Sequence, residues 1–239
     1  MYFSSQLEQL HAHVKANRWL RYFTVFNRIA LAAGFIPSGF VKIAGERFTS
    51  LSNNHPMGHY LEALFHTSFY YPFIGVIQMT AAVLLLIPRT ATLGAVIYFP
   101  VILNICVLSL AVRFDGSLVS SPLMVLANLY LLCWDYDKLK YLFPFYRPAV
   151  TPLEPVVPSN RFPTLFFAGV AATVVAVVLA VTHLYTIMPR NTLPDCQHQC
   201  ASSPHPAACR QFCDCVHTQG QVFEKCLEQY NQAVAQEEE

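Results

Sequence analysis

Five long apolar stretches, separated by shorter polar connections, dominate the hydrophobic pattern of the chain. They cover roughly residues 22–45, 71–88, 91–112, 119–136 and 163–187. Each stretch is close to the roughly 20 apolar residues that a helix needs to cross a bilayer. The last is the clearest, because it carries no Asp, Glu, Lys or Arg. The pattern predicts an all-α membrane protein with five transmembrane helices.

The connections between these stretches predict how the helices are arranged. The second and third stretches are joined only by IPRTA, so their helices must be antiparallel neighbours. We therefore expect a four-helix transmembrane bundle at 22–136, preceded at 1–21 by a polar, amphipathic segment at the membrane surface or in solvent. A proline-rich linker at 137–162 then leads to a fifth transmembrane helix at 163–188 and a Cys-rich tail at 189–239.

The overall composition agrees with a membrane protein. Hydrophobic residues make up 54% of the chain and charged residues 12%, against about 25% charged residues in soluble domains. The formal net charge is only +1, and no basic patch is interleaved with aromatic residues, which excludes a nucleic-acid partner. The lipid bilayer and other membrane proteins are the expected surroundings.

The distribution of basic residues predicts the orientation of the chain. They concentrate before the first stretch and between the fourth and fifth, and basic loops face the cytoplasm. These residues are Lys15, Arg18, Arg21, Lys138, Lys140, Arg147 and Arg161. We therefore expect an integral protein of the bacterial inner membrane with a cytoplasmic N-terminus. An odd number of spans then puts the tail in the periplasm, and the first stretch, which lacks secretory-signal features, serves as an uncleaved anchor.

The tail carries six cysteines, which in an oxidising compartment more often form disulfides than bind metal. Cys196 lies four residues before Cys200, as Cys209 does before Cys213, so two helices would present each pair on one face. Fifteen pairings are possible. A stapled helical hairpin favours three of the possible disulfides: Cys200–Cys209, Cys196–Cys213 and Cys215–Cys226.

Metal binding remains an alternative for the tail, because His198, His205 and His217 are interleaved with the cysteines. No paired C-x-x-C zinc pattern and no C-x-x-C-H haem attachment site are present. We therefore expect disulfides and no metal. A tail with few large apolar side chains needs such staples, each worth roughly 2–4 kcal/mol.

Polar residues within the apolar stretches are candidate functional groups, since ionisable side chains are costly at membrane depth. Arg28 and Lys42 lie near the two ends of the first stretch, and both should face the bundle, either as ion pairs that fix the helix ends or as a functional site. The expected partners are Asp135 or Asp137 for Arg28, and Glu46, Glu62 or Asp115 for Lys42.

Three amide side chains, Gln78, Asn104 and Asn128, also lie well inside predicted spans. Such residues commonly form hydrogen bonds between transmembrane helices. We expect them to hold the bundle together rather than to carry out chemistry.

The loop NNHPMGHYLEALFHTSFYYP, between the first two stretches, has the apolar spacing of a helix. We expect a short helix at 56–69 that lies on the outer leaflet. Its histidines and aromatic residues, together with Lys42, suit a quinone headgroup or another lipid-like ligand. Metal binding and simple contact with the headgroup layer are the alternatives. The candidate ligand-binding residues are Lys42, His55, His59, Tyr60, Glu62 and His66.

Over roughly residues 24–136 the chain resembles the DoxX-like integral membrane proteins. The resemblance lies in RIALAAGFIPSGFVKIAG, which contains Arg28 and Lys42, in FIGVIQMTAAVLLLIPRTATLGA, and in the spacing of the four helices. Gln78 stands where many members carry an acid. The fifth helix and the Cys-rich tail are additions to the pattern. The resemblance implies a four-helix transmembrane bundle and a role in quinone-linked oxidoreductase assemblies or in the assembly of other membrane proteins.

Two hypotheses about function follow. The first is a non-catalytic integral subunit or assembly partner of a membrane complex, whose tail docks an extracytoplasmic protein. It is favoured because the sequence has no nucleophile–base pair, phosphate loop or cofactor fingerprint. The alternative is a quinone-linked oxidoreductase subunit with a quinone site at the outer face. The first hypothesis requires no cofactor, and the second requires a bound quinone or a similar lipid.

Overall fold

The computed structural model of the protein describes residues 2–51, 55–112, 114, 116–139, 158–183 and 191–237, with side chains from residue 9 onward. Apart from a single bridge between Asn17 and Ser159, the regular structure of these residues is helical. The helices are α1 Tyr2–Ala16, α2 Arg18–Ile43, α3 Pro56–Phe65, α4 Tyr70–Leu86, α5 Ala91–Ala111, α6 Ser120–Trp134, α7 Tyr136–Leu139, α8 Thr164–His183, α9 Leu193–Cys200, α10 Pro206–His217 and α11 Phe223–Glu237.

Among the described helices, α2, α5 and α8 are long and apolar enough to cross a membrane. The pair α3 and α4 meets the same criteria together, although the two helices are bent by 99° at their junction. Helix α6 is apolar but only 15 residues long, shorter than the roughly 20 residues of a full span. The structure therefore supports three or four candidate spans, where the sequence pattern predicted five.

Helices α2, α4, α5 and α6 pack side by side in an up-and-down arrangement. Their common core contains Leu31, Phe35, Leu85 and Tyr98, all at most 2% exposed. The rings of Phe35 and Tyr98 stack with centroids 3.6 Å apart, and the Tyr98 hydroxyl donates to the carbonyl of Leu31 at 3.1 Å. The core thus joins α2 to α5 through both apolar and polar contacts.

Helices α2 and α4 approach each other most closely at two glycines. A Cβ added to Gly39 would lie 2.9 Å from the Gly75 carbonyl oxygen, and one added to Gly75 would lie 2.7 Å from the Gly39 carbonyl oxygen. Small residues let helix backbones come together in membrane proteins. This crossing fixes the register in which Lys42, one turn beyond Gly39, faces α4.

The segment just before α8 and the first turn of α8 contact α2 and the residue that precedes it. The Asn17 side-chain amide donates to the Arg161 carbonyl at 2.8 Å, the ring of Trp19 meets Phe162 edge-on at 5.2 Å, and Phe23 meets Phe166 at 5.6 Å. Most of the remaining α8 surface is exposed, as expected for a helix surrounded by lipid.

The tail is a separate three-helix unit built from α9, α10 and α11. Its core consists mainly of the six cysteines with Phe212, Phe223 and Tyr230. The sequence predicted a hairpin of two helices, but the tail contains a third helix, α11. Phe223 also meets His55, beside α3, at 5.4 Å, whereas α1 contacts α2 and α7 at the opposite end. The structure thus separates the N-terminal helix from the tail by the length of the bundle.

Candidate functional site

His55 immediately precedes helix α3 and is only 4% exposed. Its Nδ1 accepts the backbone N–H of Met57 at 3.1 Å, which is the role of an N-cap residue, and Pro56 occupies the first helical turn, where it costs no hydrogen bond. The predicted helix is confirmed, but it ends at Phe65 rather than residue 69. Because His55 also packs on Phe223, it joins α3 to the tail.

Glu62 is the centre of a polar group on the surface of α3. One carboxylate oxygen lies 2.9 Å from Nε of Arg47, and the other lies 3.0 Å from Nε2 of His66. Arg47 also donates to the Gly58 carbonyl at 3.3 Å, which ties the loop after α2 to α3. His59 and Tyr60 are exposed on the same helix.

Lys42 has a different set of partners. Its ammonium group donates to the hydroxyl of Ser38 at 2.7 Å and to the Ser38 carbonyl at 3.0 Å, and lies 4.3 Å from the ring centroid of Phe48. Ser38 in turn donates to Oε1 of Gln78 at 3.3 Å. Lys42 is 6% exposed, so a buried cation, a hydroxyl and an amide form one short chain between α2 and α4.

The expected ion pair of Lys42 with Glu46 or Glu62 is wrong, because Ser38 and Phe48 occupy the ammonium group and Glu62 binds Arg47. Asp115, the third expected partner, lies outside the described residues. Among the described residues, no hydrogen bond joins Lys42 to His55, His59 or His66. The six candidate ligand-binding residues therefore divide into separate groups instead of sharing one described pocket.

Asp135, which follows α6, lies close to basic side chains from several helices and is only 4% exposed. It accepts the hydroxyl of Thr92 at 2.7 Å and the ammonium group of Lys138 at 3.1 Å. Arg28 lies 3.8 Å and Lys15 4.0 Å away. The predicted pairing of Arg28 with Asp135 is confirmed. This carboxylate connects α1, α2, α5 and α7 at the end of the bundle opposite the tail.

Asp137 adds a second acid to this end. Lys15 donates to its carboxylate at 2.6 Å. Partial burial by itself would raise the pKa of Asp137, but the hydrogen bond and the charge of Lys15 outweigh it and hold that pKa below its usual value. Asp137 therefore stays ionised and fixes α1 to α7.

The amide side chains behave differently from one another. Asn128 is fully buried and donates to the Ala95 carbonyl on α5 at 3.0 Å, and Gln78 accepts from Ser38 on α2. Both interhelical bonds agree with the prediction. Asn104, in contrast, is exposed beside Leu103 and Val107 and has no hydrogen bond to a described residue. The prediction is wrong there, because this face of α5 points away from the other helices.

The tail contains three disulfides: Cys196–Cys213, Cys200–Cys209 and Cys215–Cys226. These are the pairs that the helical spacing favoured. The first two lie side by side, with the sulfur atoms of Cys200 and Cys213 3.6 Å apart. Because all six thiols are oxidised, none is available as a thiolate ligand for a metal.

Two acids in the tail serve local structure. The side chain and backbone N–H of Thr192 donate to Asp195 at the start of α9 and lower the pKa of its carboxyl. Hydrogen bonds from Gln219 and Thr218 lower the pKa of Asp214 in the same way at the end of α10. Asp195 thus stabilises the start of α9, and Asp214 stabilises the end of α10.

Sequence reasoning missed Thr92, Ser38 and Phe223. Thr92 gives no sequence signal, because nothing distinguishes its hydroxyl from others in the spans. Ser38 could have been found, because it lies four residues before Lys42 on the same predicted helix. Phe223 could have been found: with Cys226, Leu227 and Tyr230 it has the i, i+3, i+4, i+7 spacing of an amphipathic helix.

No protein-family model matches the chain, and no solved structure matches it. Over 122 residues the chain is 36% identical to a protein of Bacillus subtilis (strain 168) described as "Uncharacterized protein YwoB". The aligned region covers 48% of this chain and 79% of that protein. The chain therefore belongs to the same family as this Bacillus subtilis protein.

Proposed function

We propose that the protein is a non-catalytic integral subunit or assembly partner of a larger membrane complex, and that its tail docks an extracytoplasmic protein. The observation that carries this proposal is the contact of Phe223 in the tail with His55 beside α3. Because this contact and α8 both connect the tail to the bundle, the tail forms a positioned outer surface and not a free extension.

The charged side chains support this role, because they form ion pairs with other residues of the fold. At the tail end of the bundle, Glu62 holds Arg47 and His66; at the other end, Asp135 and Asp137 hold basic side chains. Each of these groups joins elements of the fold. The exposed polar faces of α10 and α11 provide the docking surface; they include Arg210, Gln211, Asp214, Glu228 and Gln232.

The proposed setting is the inner membrane of a bacterium, with α1 in the cytoplasm and the tail in the periplasm. The concentration of basic residues around α1 and the start of α2 supports this orientation. The three disulfides support an oxidising compartment for the tail. The resemblance of residues 24–136 to DoxX-like proteins extends the proposal, since members of that family look like subunits or assembly factors of membrane complexes.

Site-specific photo-crosslinking in intact cells tests the proposal. A photoreactive amino acid at the exposed Gln211 of α10 should yield one discrete protein adduct. The same group at the exposed Val83 of α4 serves as a matched lipid-facing control. Replacing Cys215 and Cys226 with Ser should abolish the Gln211 adduct. The proposal fails if photoreactive groups across the faces of α10 and α11 give no protein adduct.

The quinone-linked alternative is tested on the same purified full chain. Extraction with organic solvent should release no quinone in stoichiometric amount if the non-catalytic role is right. A stoichiometric quinone, lost on substitution of His59 or Lys42, would replace the proposal with an oxidoreductase role at the outer face.

A further inference from the structure

A cavity of about 710 Å³ lies between α2, α6 and α8. Its wall is formed mainly by apolar side chains, including Phe26, Leu31, Met124 and Val170. The cavity exists because α8 contacts α2 closely only near its start. Further along, a Cβ added to Gly169 would meet no atom within 4 Å. This volume falls within the range of small-molecule and cofactor sites.

The polar atoms in the cavity wall identify the chemistry of its occupant. The Thr173 hydroxyl donates to the Gly169 carbonyl at 2.9 Å, the Asn27 amide to the Phe23 carbonyl at 2.9 Å, and the Tyr130 hydroxyl to the Leu20 carbonyl at 3.2 Å. All three donors are satisfied by the backbone. Because the wall offers mainly apolar surface, and the helices α2 and α8 are candidate spans, a hydrocarbon chain is the occupant that fits.

Two arginines, Arg18 and Arg161, precede the cavity-lining residues of α2 and α8 along the chain. Arg18 lies at the start of α2, about two turns before Phe26, which lines the cavity. Arg161 lies four residues before Leu165, which also lines it. Both arginines are exposed and form no ion pair with a described residue.

Two hydrogen bonds bring the start of α2, where Arg18 lies, close to the segment that contains Arg161. The N–H of Arg18 donates to the Ser159 carbonyl at 3.3 Å, and the Asn17 amide donates to the Arg161 carbonyl at 2.8 Å. Trp19 and Phe162 pack edge-on beside them, in the manner of aromatic residues at a membrane interface. Two guanidinium groups at an interface suit a phosphate.

We propose that this site binds one anionic phospholipid, with an acyl chain in the cavity between α2, α6 and α8 and its phosphate at Arg18 and Arg161. The combination of an apolar cavity with a basic pair at its interfacial end carries this assignment.

The molecule supplies a matched control in Arg21. It is exposed one turn further along α2. Its backbone N–H donates to the Asn17 carbonyl, whereas that of Arg18 donates to Ser159, two residues before Arg161. A purely nonspecific attraction of basic residues to anionic lipid would use Arg21 as much as Arg18.

Native mass spectrometry of the purified full chain, exchanged into mixtures of phosphatidylglycerol and phosphatidylcholine with identical acyl chains, tests the site. The wild type should retain one phosphatidylglycerol in preference to phosphatidylcholine. Arg18→Gln and Arg161→Gln should each lower this preference about fivefold, as expected for one basic residue near a charged headgroup. Arg21→Gln should lower it less.

Filling the cavity should remove the lipid without altering the basic pair. Gly169→Leu should lower the retention of both phospholipids, and Ala30→Leu, also in the cavity wall, provides a second test if the first variant fails to fold. Equal retention of the two lipids by the wild type would overturn the proposal. It would also be overturned by an Arg21→Gln effect as large as that of Arg18→Gln, or by undiminished binding in a folded cavity-filled variant.

Discussion

Replacing Gly75 with Ala should separate α2 from α4 and destabilise the bundle. The new methyl group would lie 2.7 Å from the Gly39 carbonyl oxygen, 2.9 Å from Cβ of Lys42 and 3.0 Å from Cγ1 of Ile43. The first of these distances is 0.7 Å short of 3.4 Å, where ordinary van der Waals contact begins. The nearest atom belongs to the backbone, so a rotamer change cannot relieve the contact.

The magnitude follows from two opposing effects. Overpacking a close contact costs about 1–3 kcal/mol, while exchanging Gly for Ala inside a helix returns about 0.5–1 kcal/mol in soluble hosts. We expect the free energy of unfolding to fall by about 1–2 kcal/mol, in the upper part of the range that the cost and the gain together allow, because three neighbouring atoms must move. Gly169→Ala is the matched control: its new methyl group meets open space, so only the gain remains.

Unfolding of the purified chain in mixed micelles, followed by circular dichroism as the denaturing detergent is increased, measures both variants. The midpoint should fall for Gly75→Ala and should stay equal or rise for Gly169→Ala. Equal midpoints for Gly75→Ala and the wild type would refute the close crossing of α2 and α4. A parallel fall in both variants would point to a general intolerance of added side-chain volume.

Three further predictions concern the ends of the molecule. Asp135→Asn should lower the free energy of unfolding by about 1–3 kcal/mol, because a buried acceptor of several cations loses its charge, whereas Asp137→Asn should cost at most about 1 kcal/mol; the same micelle titration compares them. Replacing Cys215 and Cys226 with Ser should destabilise the tail by about 3 kcal/mol, the entropy of its loop, as measured by amide hydrogen exchange. Because the pKa of Asp195 is lowered by folding, its contribution is present above its unfolded pKa and is lost as the pH falls through the folded value; exchange of α9 amides should rise over that acidic range.

The helical fold was accessible from the sequence because apolar length and turn signals are local properties. The short IPRTA connection fixed α4 and α5 as neighbours, and Pro56 after His55 marked the start of α3. The number of spans was less accessible. The sequence predicted a span at 119–136, but α6 covers only Ser120–Trp134. Hydropathy does not show the residues at which a helix begins and ends.

The site was predictable where partners follow from helix register, and unpredictable where they depend on loops. Asp135 follows α6 at the level of Arg28, so antiparallel packing brings the two together. Cysteines four residues apart on two helices likewise favour the disulfides that form. Lys42 is the mixed case: its bond to Ser38 follows from the i, i+4 spacing within α2, whereas its contact with Phe48 depends on the path of the chain beyond α2. The cavity between α2, α6 and α8 likewise depends on the contact of α8 with α2.

Phe223 connects the stability of the tail to its position on the bundle. Its ring belongs to the tail core, where it meets Phe212 at 5.7 Å, and it also meets His55 at 5.4 Å. A core of this size is too small to order three helices by apolar burial alone, so the disulfides must contribute much of the order. Only once Cys215–Cys226 holds α10 against the start of α11 does Phe223 have a fixed place from which to contact His55. We therefore expect reduction of Cys215–Cys226 to release the contact of Phe223 with His55.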